Sequence, residues 1–160
     1  MDISSEGGHN LRKLMEKILA LSEARDWEVA RKEWKLTDIY EADEPQVCLC
    51  GHAPIIEICC IHNVITKKNT EVGNRCVKRF FGFRSDLIFE GIKRVRLDNT
   101  KSLNADALAF LKEVGLINSW EYGFSVDNLK KRILSGKQLA TRRKINDRVA
   151  MAMKRRGLSG

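Results

Sequence analysis

Apolar positions recur along this chain with two different periods. From Asn10 onward, Leu11, Leu14, Ile18 and Leu21 stand three or four residues apart and Met15 and Leu19 widen the stripe, which predicts an amphipathic helix with Asn10 as its N-cap. A second helical stretch is expected from Asp26 to Glu33. The segment Trp34-Lys35-Leu36-Thr37-Asp38-Ile39-Tyr40 fits either helix or strand, and a strand running toward the following cysteines is the preferred reading. Glu44-Pro45 breaks the pattern. Ile55 to Ile65 is rich in β-branched residues and reads as a strand. Thr66 to Thr70 is a polar turn, and Glu71 to Val77 is expected to return as the partner strand, with Gly73-Asn74 marking a bulge or bend.

The second half reads as mostly helical. Ser85-Asp86 opens a helix with Leu87, Ile88, Ile92 and Val95 as apolar positions. Asn104 caps another that carries Leu108, Leu111 and Val114, and Gly115-Leu116 suits a left-handed helix end followed by an apolar contact. Trp120, Tyr122 and Phe124 alternate, which predicts a short extended segment. Ser135 and Gln138 have capping-box spacing and open a long final helix from about Lys137 to Arg156. The fold class expected is α+β: a small β-hairpin of ribbon or knuckle type, flanked by mostly helical segments. Three regions follow from this, an N-terminal helical segment (1–33), a β-rich module (34–82), read below as zinc-binding on its cysteines, and a helical region ending in a long basic helix (83–160).

Composition narrows the class. Of 160 residues, 43% are apolar and 31% charged, enough for a core and not the profile of a disordered chain. No apolar run reaches the roughly 18 residues that a membrane span needs. The N-terminal residues lack a basic start and an apolar stretch, so no secretory signal is read and a cytoplasmic or nuclear location is expected. Thiols stay reduced there, which favours metal ligands over disulfides.

All five cysteines fall between Cys48 and Cys76, and that clustering asks for a local cause. Zinc takes four ligands, usually thiolates and imidazoles. Cys48-x-Cys50-Gly51 offers two thiolates on one turn, and the glycine lets the backbone fold back. With the hairpin turn centred between Lys67 and Lys68, Cys76 lies opposite Cys59, with Cβ atoms roughly 5 Å apart. The expected ligands are therefore Cys48, Cys50, Cys59 and Cys76. Cys60 is the alternate after a one-residue shift, and His52 or His62 can replace a thiolate. Cys59 and Cys60 point to opposite faces of a strand and do not both bind. Buried core thiols and a redox or nucleophilic cysteine are the competing readings.

The stretch Cys48-x-Cys50-Gly51-His52-x-Pro54-Ile55, then Ile61-x-Asn63, then Val72-Gly73-x-x-Cys76-Val77-x-x-Phe80, preceded by Glu33-Trp34-Lys35-Leu36, resembles a small module of uncharacterised proteins of phages and large DNA viruses. The resemblance covers about residues 33–80. It implies a small zinc-binding fold with Cys48, Cys50 and Cys76 among the ligands, and says little about activity. Leu134-Ser135-x-Lys137-Gln138 followed by Ile145-Asn146 is similar to tails of such proteins.

Charge places the expected partner elsewhere. The net charge is +8, yet residues 126–160 carry 11 basic and 2 acidic groups, a net +9. Such an excess attracts polyanions, nucleic acid first, with an acidic protein surface as the alternative and a merely solvated helix as the plain reading. On the last helix Ile145, Val149 and Ala152 or Met153 share one face. Arg142, Arg143, Lys144, Arg148, Lys154, Arg155 and Arg156 occupy the rest and are the expected contacts to DNA or RNA. Trp120, Tyr122 and Phe124 are candidates for base stacking, or core. No phosphate-cradling glycine loop appears, and no His-x-Glu with a downstream Cys-x-x-Cys, so an enzyme is not expected. Asp38, Glu41, Asp43 and Glu44 read as an acidic loop rather than a nuclease metal site.

Overall fold

The computed structural model describes residues 5–158, and of residues 5–8 and 154–158 it describes the backbone only. The chain divides into two compact units, the first running to Phe83 and the second beginning at Arg84. The N-terminal helical segment belongs to the same unit as the sheet.

The first unit opens with α1 (Ser5–Ala20), which starts before Asn10, so Asn10 lies inside the helix and does not cap it. Its stripe residues Leu14 and Ile18 are fully buried. Helix α2 (Trp27–Ala30) is capped by Asp26, whose carboxylate accepts from the Val29 N–H, and a 3-10 turn (Arg31–Glu33) follows. Strand β1 (Trp34–Gln46), β2 (Ile55–Asn63) and β3 (Asn69–Gly73) form an antiparallel sheet in the order β1-β2-β3. The ambiguous Trp34–Tyr40 segment is a strand, as preferred. In the central strand Ile58, Cys59, Cys60 and Ile61 are all buried, which requires cover on both faces. A bulge between Leu36 and Asp38 leaves Thr37 unpaired, and its hydroxyl donates to the Cys60 carbonyl at 3.2 Å.

The β2–β3 register differs from the expected one. Ile58 pairs with Gly73, Cys59 with Val72 and Cys60 with Glu71, so Cys76 does not lie opposite Cys59. Two physical causes account for this. The turn closes earlier: Asn63 N donates to the Lys68 carbonyl at 2.8 Å, and Lys67 takes the left-handed φ of 63°. The return strand also stops at Gly73. Asn74–Cys76 (α3) and a wide π-type turn (Val77–Phe81) continue as helix.

A buried polar knot fixes this unit. The Glu33 carboxylate accepts from Glu23 N and Ala24 N, both at 2.8 Å, and from Asn63 Nδ2 at 2.9 Å. Asn63 Oδ1 in turn accepts from Ile65 N at 2.9 Å and Thr66 N at 3.0 Å. Burial raises the Glu33 pKa, but these three hydrogen bonds hold it below the usual value.

The second unit is helical: α4 (Ser85–Leu97), α5 (Ala105–Glu113), α6 (Ser119–Asp127) and α7 (Gly136–Leu158). Its core is drawn from Ile88, Phe89, Ile92 and Val95 on α4, Leu108 and Leu111 on α5, and Ile145, Val149 and Met153 on α7. Asn104 accepts from Ala107 N at 2.8 Å and donates to the Leu87 carbonyl at 2.7 Å, so one side chain caps α5 and straps it to α4. Helix α5 ends as its Gly-Leu pattern predicts. Gly115 has φ of 80°, Leu116 N donates to the Leu111 carbonyl at 2.9 Å and Gly115 N to that of Lys112 at 3.1 Å. The alternating aromatics do not form an extended segment. Asn118 and Glu121 make a full capping box that turns residues 119–127 into helix, a stronger local signal than a three-residue alternation. The Ser135–Gln138 capping box also forms, with bonds of 3.0 and 3.2 Å.

Candidate metal centre

Three of the four expected ligands converge. The sulfurs of Cys48, Cys50 and Cys76 all lie within 4.8 Å of one another, an arrangement able to hold a metal ion. Cys48 and Cys50 are buried and Cys76 is partly so. The β1–β2 connection brings the first two together. Gly51 N donates to the Cys48 carbonyl at 2.8 Å and Cys48 N to the His52 carbonyl at 2.9 Å, and Gly51 takes a φ of 93° that a side-chain-bearing residue rarely adopts. Cys76 arrives from the other side on α3, because the chain turns helical after Gly73. The turn that follows ends at Phe81, which meets Trp27 edge-on at 5.8 Å.

Backbone donors aim at the sulfurs. Gly73 N reaches Cys48 Sγ at 3.3 Å and His52 N reaches Cys50 Sγ at 3.4 Å. The Cys48 thiol is pushed down to about 5, chiefly by the hydrogen bond from Cys76, with burial opposing and the N–H groups of Cys50 and Gly73 assisting. Cys76 is raised in turn by its bond to the Cys48 thiolate, and Cys50 is raised by burial. A cation bound there favours the thiolate form of all three.

Cys59 stands apart from this cluster. It is fully buried in the central strand, and its sulfur faces Asn74 Oδ1 at 4.0 Å. Cys60 faces Glu71 Oε1 at 3.9 Å, and His62 Nδ1 lies 2.7 Å from Asn69 Oδ1. The register explains the separation: it puts Cys59 against Val72, four residues short of Cys76. His52 lines the same cavity as the three sulfurs. Sequence reasoning missed two basic residues that line the site and a third close by. Arg75 and Arg79 line that cavity, and Lys13 packs against Gly51. Residues 75 and 79 have helical i, i+4 spacing, which the strand reading through Val77 concealed.

The basic helix is placed differently from the expectation of a uniformly free cationic face. Its apolar stripe of Ile145, Val149 and Met153 is buried. Arg142 turns inward, donating to the carbonyls of Thr100 at 3.2 Å and Asn128 at 2.8 Å, and burial, then Arg94, lowers its pKa. One nitrogen of Arg148, Nη2, donates to both carboxylate oxygens of Glu121, at 2.7 and 2.6 Å. Arg143 and Lys144 are exposed. The side chains of Lys154, Arg155 and Arg156 lie outside the described residues. Trp120 and Phe124 stack on each other at 5.5 Å along one face of α6, with Trp120 65% exposed. Among the described residues no helix is long and apolar enough to cross a membrane.

Fold and site together define an α+β protein with a three-thiol centre able to hold a metal ion. No family model matches the chain, and neither a curated protein nor a solved structure does.

Proposed function

We propose that this chain is a zinc-stabilised, non-enzymatic nucleic-acid-binding protein of a phage or mobile element. In this reading the thiol centre holds the first unit together and the second unit meets the polyanion. Soft thiolate ligands on a short turn suit zinc, and the backbone N–H groups aimed at two of the sulfurs suit thiolates. The observation that carries the nucleic-acid reading is the charge of the second unit. Residues 84–160 hold 17 basic and 8 acidic groups, a net +9, against a net −1 for residues 1–83 with 12 and 13. Helix α7 buries its apolar stripe and leaves Arg143 and Lys144 in solvent, whereas α6 contains no Lys or Arg. Binding is then mostly electrostatic and sequence-tolerant.

Mobility shift with unrelated DNA and RNA at two salt concentrations tests this. Binding is expected to weaken steeply with salt, and replacing Arg143 and Lys144 by Ala is expected to lower the log–log salt slope by about 2, one per lost phosphate contact. Binding that ignores salt, or none at all, overturns it. In the latter case recovery of an acidic partner protein favours the second reading, an adaptor or inhibitor that uses the same basic surface.

A further inference from the structure

A tetrahedral zinc ion needs a fourth ligand, and among the described residues no fourth Cys, His, Asp or Glu atom joins the three sulfurs. The missing side of the tetrahedron is not packed shut. The sulfurs face a cavity of about 280 Å³ whose other lining residues include His52, Arg75, Arg79 and Phe80. Among the described residues its lining contains no carboxylate. Arg75 and Arg79 are both exposed, and no acidic partner is found for either among the described residues. The Arg79 guanidinium carbon lies 5.4 Å from the centre of the Phe80 ring, which holds it over the cavity wall. On α1, the Lys13 amino group approaches to 3.0 Å of the point a Cβ on Gly51 would occupy, directly beside the Cys48–Cys50 turn.

We infer that the fourth coordination position is filled from outside the chain, by a phosphate group seated between Arg75 and Arg79. This rests on the zinc reading of the thiol cluster. Zinc with three thiolates carries one net negative charge; Arg75 and Arg79 line the same cavity with two positive ones, and Lys13 adds a third beside Gly51. The surplus suits a dianion better than a water molecule or a neutral ligand. Two guanidiniums one helical turn apart can each fork onto phosphate oxygens while a remaining oxygen reaches the metal. Three protein ligands and one open position is also the arrangement by which zinc sites accept exogenous ligands. Free phosphate and the terminal phosphate of an oligonucleotide offer the same chemistry, and the second would give the first unit its own contact to nucleic acid.

The full chain loaded with Co(II) reports on this directly, because the ligand-field bands of tetrahedral cobalt respond to the fourth ligand. Titration with inorganic phosphate is expected to shift the bands saturably. The Arg75→Ala/Arg79→Ala variant is expected to weaken phosphate roughly tenfold or more while binding cobalt as before. His52→Ala is expected to leave metal affinity unchanged. If His52→Ala instead lowers metal affinity about tenfold or more, His52 closes the site and the inference fails. It fails equally if phosphate leaves the bands unmoved in a protein that holds stoichiometric cobalt, and the zinc reading then survives. A chain that retains neither cobalt nor zinc overturns both. Tighter binding of a 5′-phosphorylated oligonucleotide than of its 5′-hydroxyl counterpart identifies a nucleic-acid end as the ligand. Equal binding of the two, with the band shift by free phosphate intact, identifies inorganic phosphate.

Discussion

In the first unit the polar groups that fix the fold join residues far apart in sequence, and several ask for something beyond a neutral partner. Glu33 gathers the backbone at 23–24 and the side chain of Asn63, and Cys48 and Cys76 meet across 28 positions. In the second unit asparagine and arginine do similar work on neutral carbonyls. Asn104 ties α5 to α4, and Asn146 donates to Asn99 and Lys101 at 2.8 and 2.7 Å. The second unit is tied together by its own side chains on its own carbonyls, while the first brings three thiols into an arrangement able to hold a metal ion. Net charge divides the same way, −1 against +9. The contrast is between a small sheet whose adjoining turn and helix gather thiols able to hold an ion, and a helical unit held by a continuous apolar core and asparagine ties.

The largest break in this comparison is expected from metal removal. A structural zinc contributes on the order of 10 kcal/mol, comparable with the about 5–15 kcal/mol of a whole domain. Chelation is expected to unfold at least residues 45–80 while amide exchange in α4, α5 and α7 stays slow. Equal loss of protection in both units would erase the distinction. Cys76→Ser is expected to abolish stoichiometric metal, and Cys59→Ser to retain it, as measured by metal analysis of the purified variants.

Next in size is Asn63→Ala. It strips Glu33 of a donor and leaves the Ile65 and Thr66 N–H groups unpaired, for an expected loss of about 2–3 kcal/mol in urea unfolding of the first unit. A pH dependence accompanies it. The folded pKa of Glu33 is depressed, so its contribution is present above the unfolded carboxyl value and is lost as pH falls through the folded one. Glu33→Gln is expected to flatten that acid-side decline.

In the second unit, Asn104→Ala removes the α5 cap and its strap to Leu87, for about 1–2 kcal/mol by thermal unfolding. Gly91→Ala probes the same contact, since a Cβ there comes within 2.8 Å of Asn104 Nδ2. The smallest change is expected from Arg148→Ala. Its pair with Glu121 is half-exposed, so stability should fall by less than about 1 kcal/mol and metal content should not change.

Much of the second unit was legible because its signals are local. Capping residues, the Gly115 helix end and the i, i+4 stripe of α7 act within one or two turns, and each forms where its residues stand. The aromatic alternation at 120–124 misled because the Asn118–Glu121 box, equally local, outweighs it. The sheet was legible as strands but not in register. Alternation in a strand buried on both faces does not say which residue faces which, and a turn that closes at Asn63–Lys68 moves every pairing at once.

The sequence by itself determined that the thiols cluster, that one of the two halves is strongly basic, and that helices follow a small sheet. Composition and short-range patterning suffice for these. Tertiary structure decided that Cys76 reaches Cys48 and Cys50 from a helix rather than a strand while Cys59 is core, that Arg142 and Arg148 serve the fold, and that Arg75 and Arg79 share a cavity with the sulfurs. Those outcomes depend on where a strand ends and how a turn redirects the chain, and a residue's spacing along the sequence carries no record of a partner 28 or 42 positions away.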